Sequence, residues 1–145
     1  MLSGVCLLHR RAPHVNILTG LVVLPTRDLA VQVYSVLSTL GLAAGLTVAL
    51  AAAQESVAAE AAKLVALPSK PDTGPHLLVA TPGRLMAHLQ ATAFSIRGVR
   101  FLVVDEADRL LRQDYQGWLP EVLQQIQHSH SSTTQHPPVR QQMQQ

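Results

Sequence analysis

Three short apolar runs in this chain each break off into residues that start a helix: GLVVLPT (20–26), HLLVATPG (76–83) and FLVVDEAD (101–108). Continuous runs of this length, rich in Val and Leu, predict strands buried on both faces. Thr26 and Thr81 are good helix caps, Pro82 suits a first helical position, and Asp28 falls where a helix dipole favours an acid. Strand–helix alternation predicts a parallel α/β sheet with right-handed crossovers. Ligands of such sheets gather at the carboxyl ends of the strands. LPTRD, VATPGR and VDEAD should therefore lie along one edge of the domain.

The remaining segments fit this frame. Leu29, Val33, Val36, Leu37 and Leu40 recur at helical spacing, and Gly41 is expected to end that helix. LTVALAAA (46–53) reads as a further strand, ESVAAEAAKLVAL (55–67) as a helix, and PSKPDTGP (68–75) as a loop. A helix follows FLVV through about Arg112, and an amphipathic one covers 118–127, with Trp118 placed in packing rather than base stacking. The division expected is a poorly ordered lead-in over 1–16, a partial domain over 17–127 and a disordered polar tail over 128–145.

Composition narrows the class. The chain has 145 residues, 48% hydrophobic and 14% charged, enough apolar matter for one buried core. Its formal charge of +2 permits a polyanion partner without arguing for one. Cys6 is the only cysteine, which excludes a disulfide framework within the chain and fits a reducing compartment. GLAAGLTVALAAA (41–53) is too short and too Gly-rich to span a bilayer. His128, His130 and His136 sit in the polar tail without a nearby acid or thiol, so a flexible tail is favoured there over a metal tract.

The chemistry lies at the strand ends. An Asp leaving a buried strand has a fixed position, and magnesium is held by one or two carboxylates with substrate phosphates. A neighbouring Glu can orient or deprotonate an attacking water. Helix-starting acids at a strand end are the plain alternative for Asp105 and Glu106. TPGR sets backbone N–H groups at a helix start with Arg84 one turn in, a ready phosphate site; taken alone, an ordinary Thr cap with Pro at the first position is the favoured reading. PTRDLA repeats the construction with Arg27.

PTRDLA, TPGR and DEAD, in this order and each at a strand end, resemble the DEAD-box RNA helicase family over about residues 20–125. The resemblance implies a first RecA-like domain, of the P-loop NTPase type and three-layered, engaged in ATP-driven separation of short RNA duplexes. On it, Asp105 would bind Mg²⁺ through water, Glu106 would activate the hydrolytic water, and Asp108 would couple the nucleotide site to the domain. Pro25, Thr26 and Arg27 would line the RNA path, with Thr81, Pro82, Gly83 and Arg84. DEADRLLRQDYQGWLPEVL is similar to a ribosome-biogenesis branch of the family. That similarity implies pre-ribosomal partners and a nuclear or nucleolar location, with the cytoplasm as alternative. ATP, Mg²⁺ and RNA are the implied ligands, no membrane is implied, and the chain is expected to be monomeric if folded.

The sequence departs from the family in several places. No G-x-x-x-x-G-K-[ST] occurs, nor the Gln motif before it, nor a Ser-Ala-Thr motif after a strand, nor a second RecA-like domain. The family's glycine pair stands here as Ala52 and Ala53. Without the strands that lead to the phosphate loop and to Ser-Ala-Thr, FLVV is expected to keep an open, aggregation-prone edge. The reading is a partial, marginally stable and inactive piece of a helicase. The alternative is a non-catalytic module that binds RNA weakly or a helicase partner.

Overall fold

Strands and helices alternate because the GLVV, LLVA and FLVV runs are each followed within a few residues by a helix start. The computed structural model describes residues 4–7, 18–65, 74–91, 94–112 and 117–128. The strands are β1 (Gly4–Leu7), β2 (Gly20–Val23), β3 (Val48–Ala51), β4 (Leu77–Ala80) and β5 (Phe101–Val104). The helices are α1 (Arg27–Ala43), α2 (Val57–Leu64), α3 (Pro82–Gln90), α4 (Ala107–Arg112) and α5 (Trp118–His128). Among the described residues the strands build one five-stranded sheet of order β1-β5-β2-β4-β3, in which β5, β2, β4 and β3 are parallel and β1 is antiparallel.

The pleat sorts the apolar residues onto two faces. Leu21, Val23, Leu78, Ala80, Ala49, Ala51 and Leu102 join one cluster, completed by Leu64, Leu85, Leu110, Trp118, Val122 and Ile126 from the helices on that side. Val22, Val79, Val48 and Leu50 turn the other way and meet Leu29, Ala30, Val33, Tyr34 and Leu37 of α1. Helices on both faces make the expected three-layer α/β sandwich, and Trp118 is a core residue. Each fully buried Leu or Val removes apolar surface worth about 1.5–3 kcal/mol from water.

Two local expectations change. Gly41 does not end α1, which runs on to Ala43; Gly45 takes the left-handed turn at φ +71° instead. Gly41 is buried inside the helix, where an added Cβ would stand 3.0 Å from Val48 Cγ2 and 3.1 Å from the Leu46 carbonyl oxygen. Thr81 occupies the cap position of α3, yet its side chain makes no capping hydrogen bond, whereas the Thr26 and Ser56 hydroxyls cap Leu29 and Ala59. Gly45→Ala should lower stability by roughly 1 kcal/mol, because only the left-handed φ opposes it and nothing lies within 4 Å of the added methyl. A shift in the urea midpoint at constant slope measures it.

The open edge expected for FLVV is corrected. Gly4–Leu7, inside the stretch read as a lead-in, pairs antiparallel with β5 in the register Gly4↔Val104 to Leu7↔Phe101. Backbone groups on a strand edge demand partners, and four extended residues suffice to supply them. GVCL lacks the flanking turn signals that marked the other strands. On the α1 side, Phe101 stays 45% exposed, since α1 packs over β3 and β4. The polar tail beyond His128 lies outside the described residues.

Candidate polyanion and nucleotide site

The parallel register brings the strand ends level: Val23 sits opposite Ala80 and Val104, and Ala80 opposite Ala51. The ladder extends into the loops. Leu24 N–H donates to Ala80 O at 3.0 Å, Thr81 N–H to Ala51 O at 3.1 Å and Asp105 N–H to Val23 O at 3.2 Å. PTRD, TPGR and DEAD therefore share one sheet edge, as their spacing predicts. The strand order puts the DEAD acids on one flank of PTRD and TPGR on the other, with the 52–55 turn beyond TPGR.

An open groove of about 380 Å³ runs across this edge, lined by Pro25, Ala53, Thr81, Pro82, Gly83 and Arg84 among others. The predicted arginines meet here through a turn that the motifs do not contain. Arg27 Nη2 donates to Gln54 Oε1 at 3.0 Å, and Arg84 Nη2 donates to the Glu55 carbonyl at 2.7 Å. Ala53, in the turn, holds φ +60°, a left-handed conformation costly for a residue with a Cβ. Glu55 also accepts from the Lys63 ammonium at 2.6 Å, a hydrogen bond that raises the Lys63 pKa above its ordinary value. Both of these side chains are exposed, so the pair adds little stability.

Beneath the turn lies a buried polar cluster. Glu60 is 2% exposed and His88 1%. Glu60 Oε1 accepts the Ala53 N–H at 3.0 Å. Glu60 Oε2 lies 2.8 Å from His88 Nε2 and 3.1 Å from Arg84 Nε. The Arg84 contact is off the N–H direction, which makes it an ion pair rather than a linear hydrogen bond. His88 Nδ1 has no partner among the described residues, while its ring meets Phe94 edge-on at 6.3 Å between centroids. Sequence reasoning missed Gln54, Glu60 and His88. His88 stands four residues after Arg84 and thus on the same helix face. Glu60 is the lone acid inside an alanine-rich helix. Both spacings were signals.

The acids stand apart from this cluster. Glu106 has φ +49°, its N–H donates to Asp105 Oδ1 at 2.9 Å, and its carboxylate lies 3.5 Å from Arg109. Asp108 is exposed on the first turn of α4. Among the described residues no three His, Cys, Asp or Glu side chains converge as a metal cage. One carboxylate at a strand end suits a magnesium ion that arrives with phosphates and keeps its waters. It does not suit an ion held by protein alone, and the sequence contains no glycine-rich loop to hold the phosphates. The donor set thus falls short of a complete ATP–magnesium site.

A parallel sheet whose strand ends carry clustered acids at one place and tethered arginines at two others has its polar groups where ligands of α/β domains gather, at the carboxyl ends of the strands. The DEAD/DEAH box helicase model matches residues 6–143, and the chain belongs to that family. DEAD-box ATP-dependent RNA helicase 1 of Arabidopsis thaliana is 47% identical over 133 residues, covering 81% of this chain and 26% of its own length. ATP-dependent RNA helicase DDX51 of Mus musculus is 43% identical over 122 residues, covering 81% of this chain and 18% of its own. ATP-dependent RNA helicase DBP6 of Vanderwaltozyma polyspora is 42% identical over 112 residues, covering 77% and 17%. The chain thus spans about a quarter or less of these relatives. The fold matches the crystal structure of the yeast DEAD-box splicing factor Prp28 with a TM-score of 0.67 at 22% identity, over 79% of this chain and 25% of that one.

Proposed function

We propose that this chain is part of the first RecA-like domain of an ATP-dependent RNA helicase, and that its own share of the work is to hold the sugar–phosphate backbone of single-stranded RNA. The observation that supports this most is the convergence of Arg27 and Arg84, from two different strand ends, on one turn beside an open groove. Pro25, Thr26, Thr81, Pro82 and Gly83 complete the RNA-facing edge. Backbone contacts carry no base information, so binding is independent of sequence and sensitive to salt.

Asp105 would hold a magnesium ion through water and Glu106 would orient the hydrolytic water if ATP were presented by a phosphate loop; Asp108 would link that site to the rest of the domain. The 145 residues contain no such loop, so this chain alone does not hydrolyse ATP. The DEADRLLRQDYQGWLPEVL segment, similar to a ribosome-biogenesis branch of the family, supports work on pre-ribosomal RNA in the nucleolus.

Fluorescence anisotropy of the 145-residue chain with labelled single-stranded RNA oligomers of different sequence tests the reading. Equal affinities are expected, with log K falling against log salt by about 0.7 per phosphate contact. The same samples should show no ATP turnover with or without RNA. RNA-stimulated hydrolysis that disappears in Glu106→Gln would show that the acids work without the loop. Affinities that differ strongly between sequences would refute backbone recognition.

A further inference from the structure

Glu60 lies outside the family-resembling motifs and does not line the 380 Å³ groove, yet it holds two residues that do, Ala53 and Arg84. It is buried, with its two oxygens divided between the Ala53 N–H on one side and the Arg84 and His88 side chains on the other. A buried carboxylate carries a heavy desolvation cost unless it is paired and hydrogen-bonded. Three contacts from the 52–55 turn and α3 meet that demand here. The turn in return depends on Glu60. Ala53 sits at φ +60°, and a non-glycine residue stays in that region only where its surroundings over-determine it. The Ala53 N–H to Glu60 bond is such a restraint.

Both arginines hang from the restrained turn. Arg27 is tied to the Gln54 side chain and Arg84 to the Glu55 carbonyl. Arg84 has a second tie, to Glu60 itself.

We propose that Glu60 is a positioning residue for the polyanion site: from beneath the groove it fixes the 52–55 turn and thereby the reach of Arg27 and Arg84. RNA affinity then depends on a carboxylate that never touches RNA. This rests on the RNA-path reading above.

The sign of the effect separates positioning from simple electrostatics. Removing a negative charge near a polyanion site strengthens binding if only the field matters. Removing a positioning group weakens it. Glu60→Gln keeps the shape and an oxygen for the Ala53 N–H while deleting the charge that holds Arg84. Glu60→Ala deletes both.

The assay is anisotropy of a labelled single-stranded oligouridylate with the full chain, across a salt series, with far-ultraviolet circular dichroism on each sample. Glu60→Gln should weaken binding about tenfold, the scale of one charge-assisted contact to phosphate lost by a misplaced arginine. Its salt slope should become shallower by about 0.7, the share of one lost phosphate contact. A loss of folded protein alone would lower the binding amplitude and leave the slope unchanged, so a slope equal to wild type overturns the proposal. Equal or tighter binding in Glu60→Gln also overturns it. Exchange of the Ala53 amide gives a reading without RNA: slow in wild type and Glu60→Gln, fast in Glu60→Ala. Fast exchange in wild type would refute the restraint. A wild-type chain without any salt-sensitive RNA binding fails the RNA-path reading, and this proposal falls with it; wild-type binding with an indifferent Glu60→Gln fails the proposal alone.

Discussion

Leu78→Ala is expected to lower the free energy of unfolding by about 3 kcal/mol. Leu78 is 0% exposed and lies on β4, which has a strand paired on each edge. Its register neighbours are Leu21 on β2 and Ala49 on β3. A cavity at this place cannot collapse easily, because the backbone is held from both sides and the β3 neighbour is already a methyl. The core is unusually dependent on its few large residues, since Ala49, Ala51 and Ala80 supply much of this face. Domains are stable by only about 5–15 kcal/mol in total, so one such loss is visible as a large fall in the urea midpoint. Val36→Ala serves as control: Val36 is 60% exposed and its truncation should cost below about 0.5 kcal/mol. A Leu78→Ala loss no greater than the control would contradict the packing described.

The second large effect separates two arginines that the motifs present as equals. Arg84→Ala should destabilise the fold by roughly 2 kcal/mol, because it strips a buried carboxylate of its cationic partner. The Arg84 side chain is 17% exposed, and its loss leaves Glu60 with His88 and the Ala53 N–H only. The figure stays below that of a fully buried pair because the guanidinium retains some water. Arg27→Ala removes a surface hydrogen bond to Gln54 and should change stability by less than about 0.5 kcal/mol. Urea unfolding of the two variants side by side measures the difference. Equal stabilities would mean that Arg84 is a surface cation like Arg27 and that the buried cluster carries no weight.

Much of the architecture was legible because the relevant physics is local. A buried run followed by Thr or Asp names a strand end and a helix start within a few residues, and β2, β4 and β5 came out that way with α1, α3 and α4 behind them. The common edge of PTRD, TPGR and DEAD followed from the parallel strands that strand–helix alternation implies. What escaped was long-range or weakly marked. β1 pairs with β5 from the far end of the chain, and no local pattern in GVCL declares that partner. Gly41 looked like a helix stop because a glycine at that spacing ordinarily is one; its close approach to Val48 is a tertiary fact. Glu60 and His88 escaped because their meeting depends on α2 and α3 lying side by side, which neither segment announces. Arg84 was legible as a site residue, but its inward ties to Glu55 and Glu60 were not.

The strand order has one consequence for how the chain is made. β2 ends up between β5 and β4, both of which follow it in the sequence. A ribosome releases GLVV well before either neighbour exists. During synthesis the future centre of the sheet is a bare apolar segment with two unpaired edges, the kind of species that chaperones hold and that aggregates when crowded. Among the described strands β5 is the last in sequence; it bears the acids and pairs with β1, the first of them. These described strands cannot close into their sheet before β5 is made, and the nascent segment stays vulnerable until its acidic strand end has emerged.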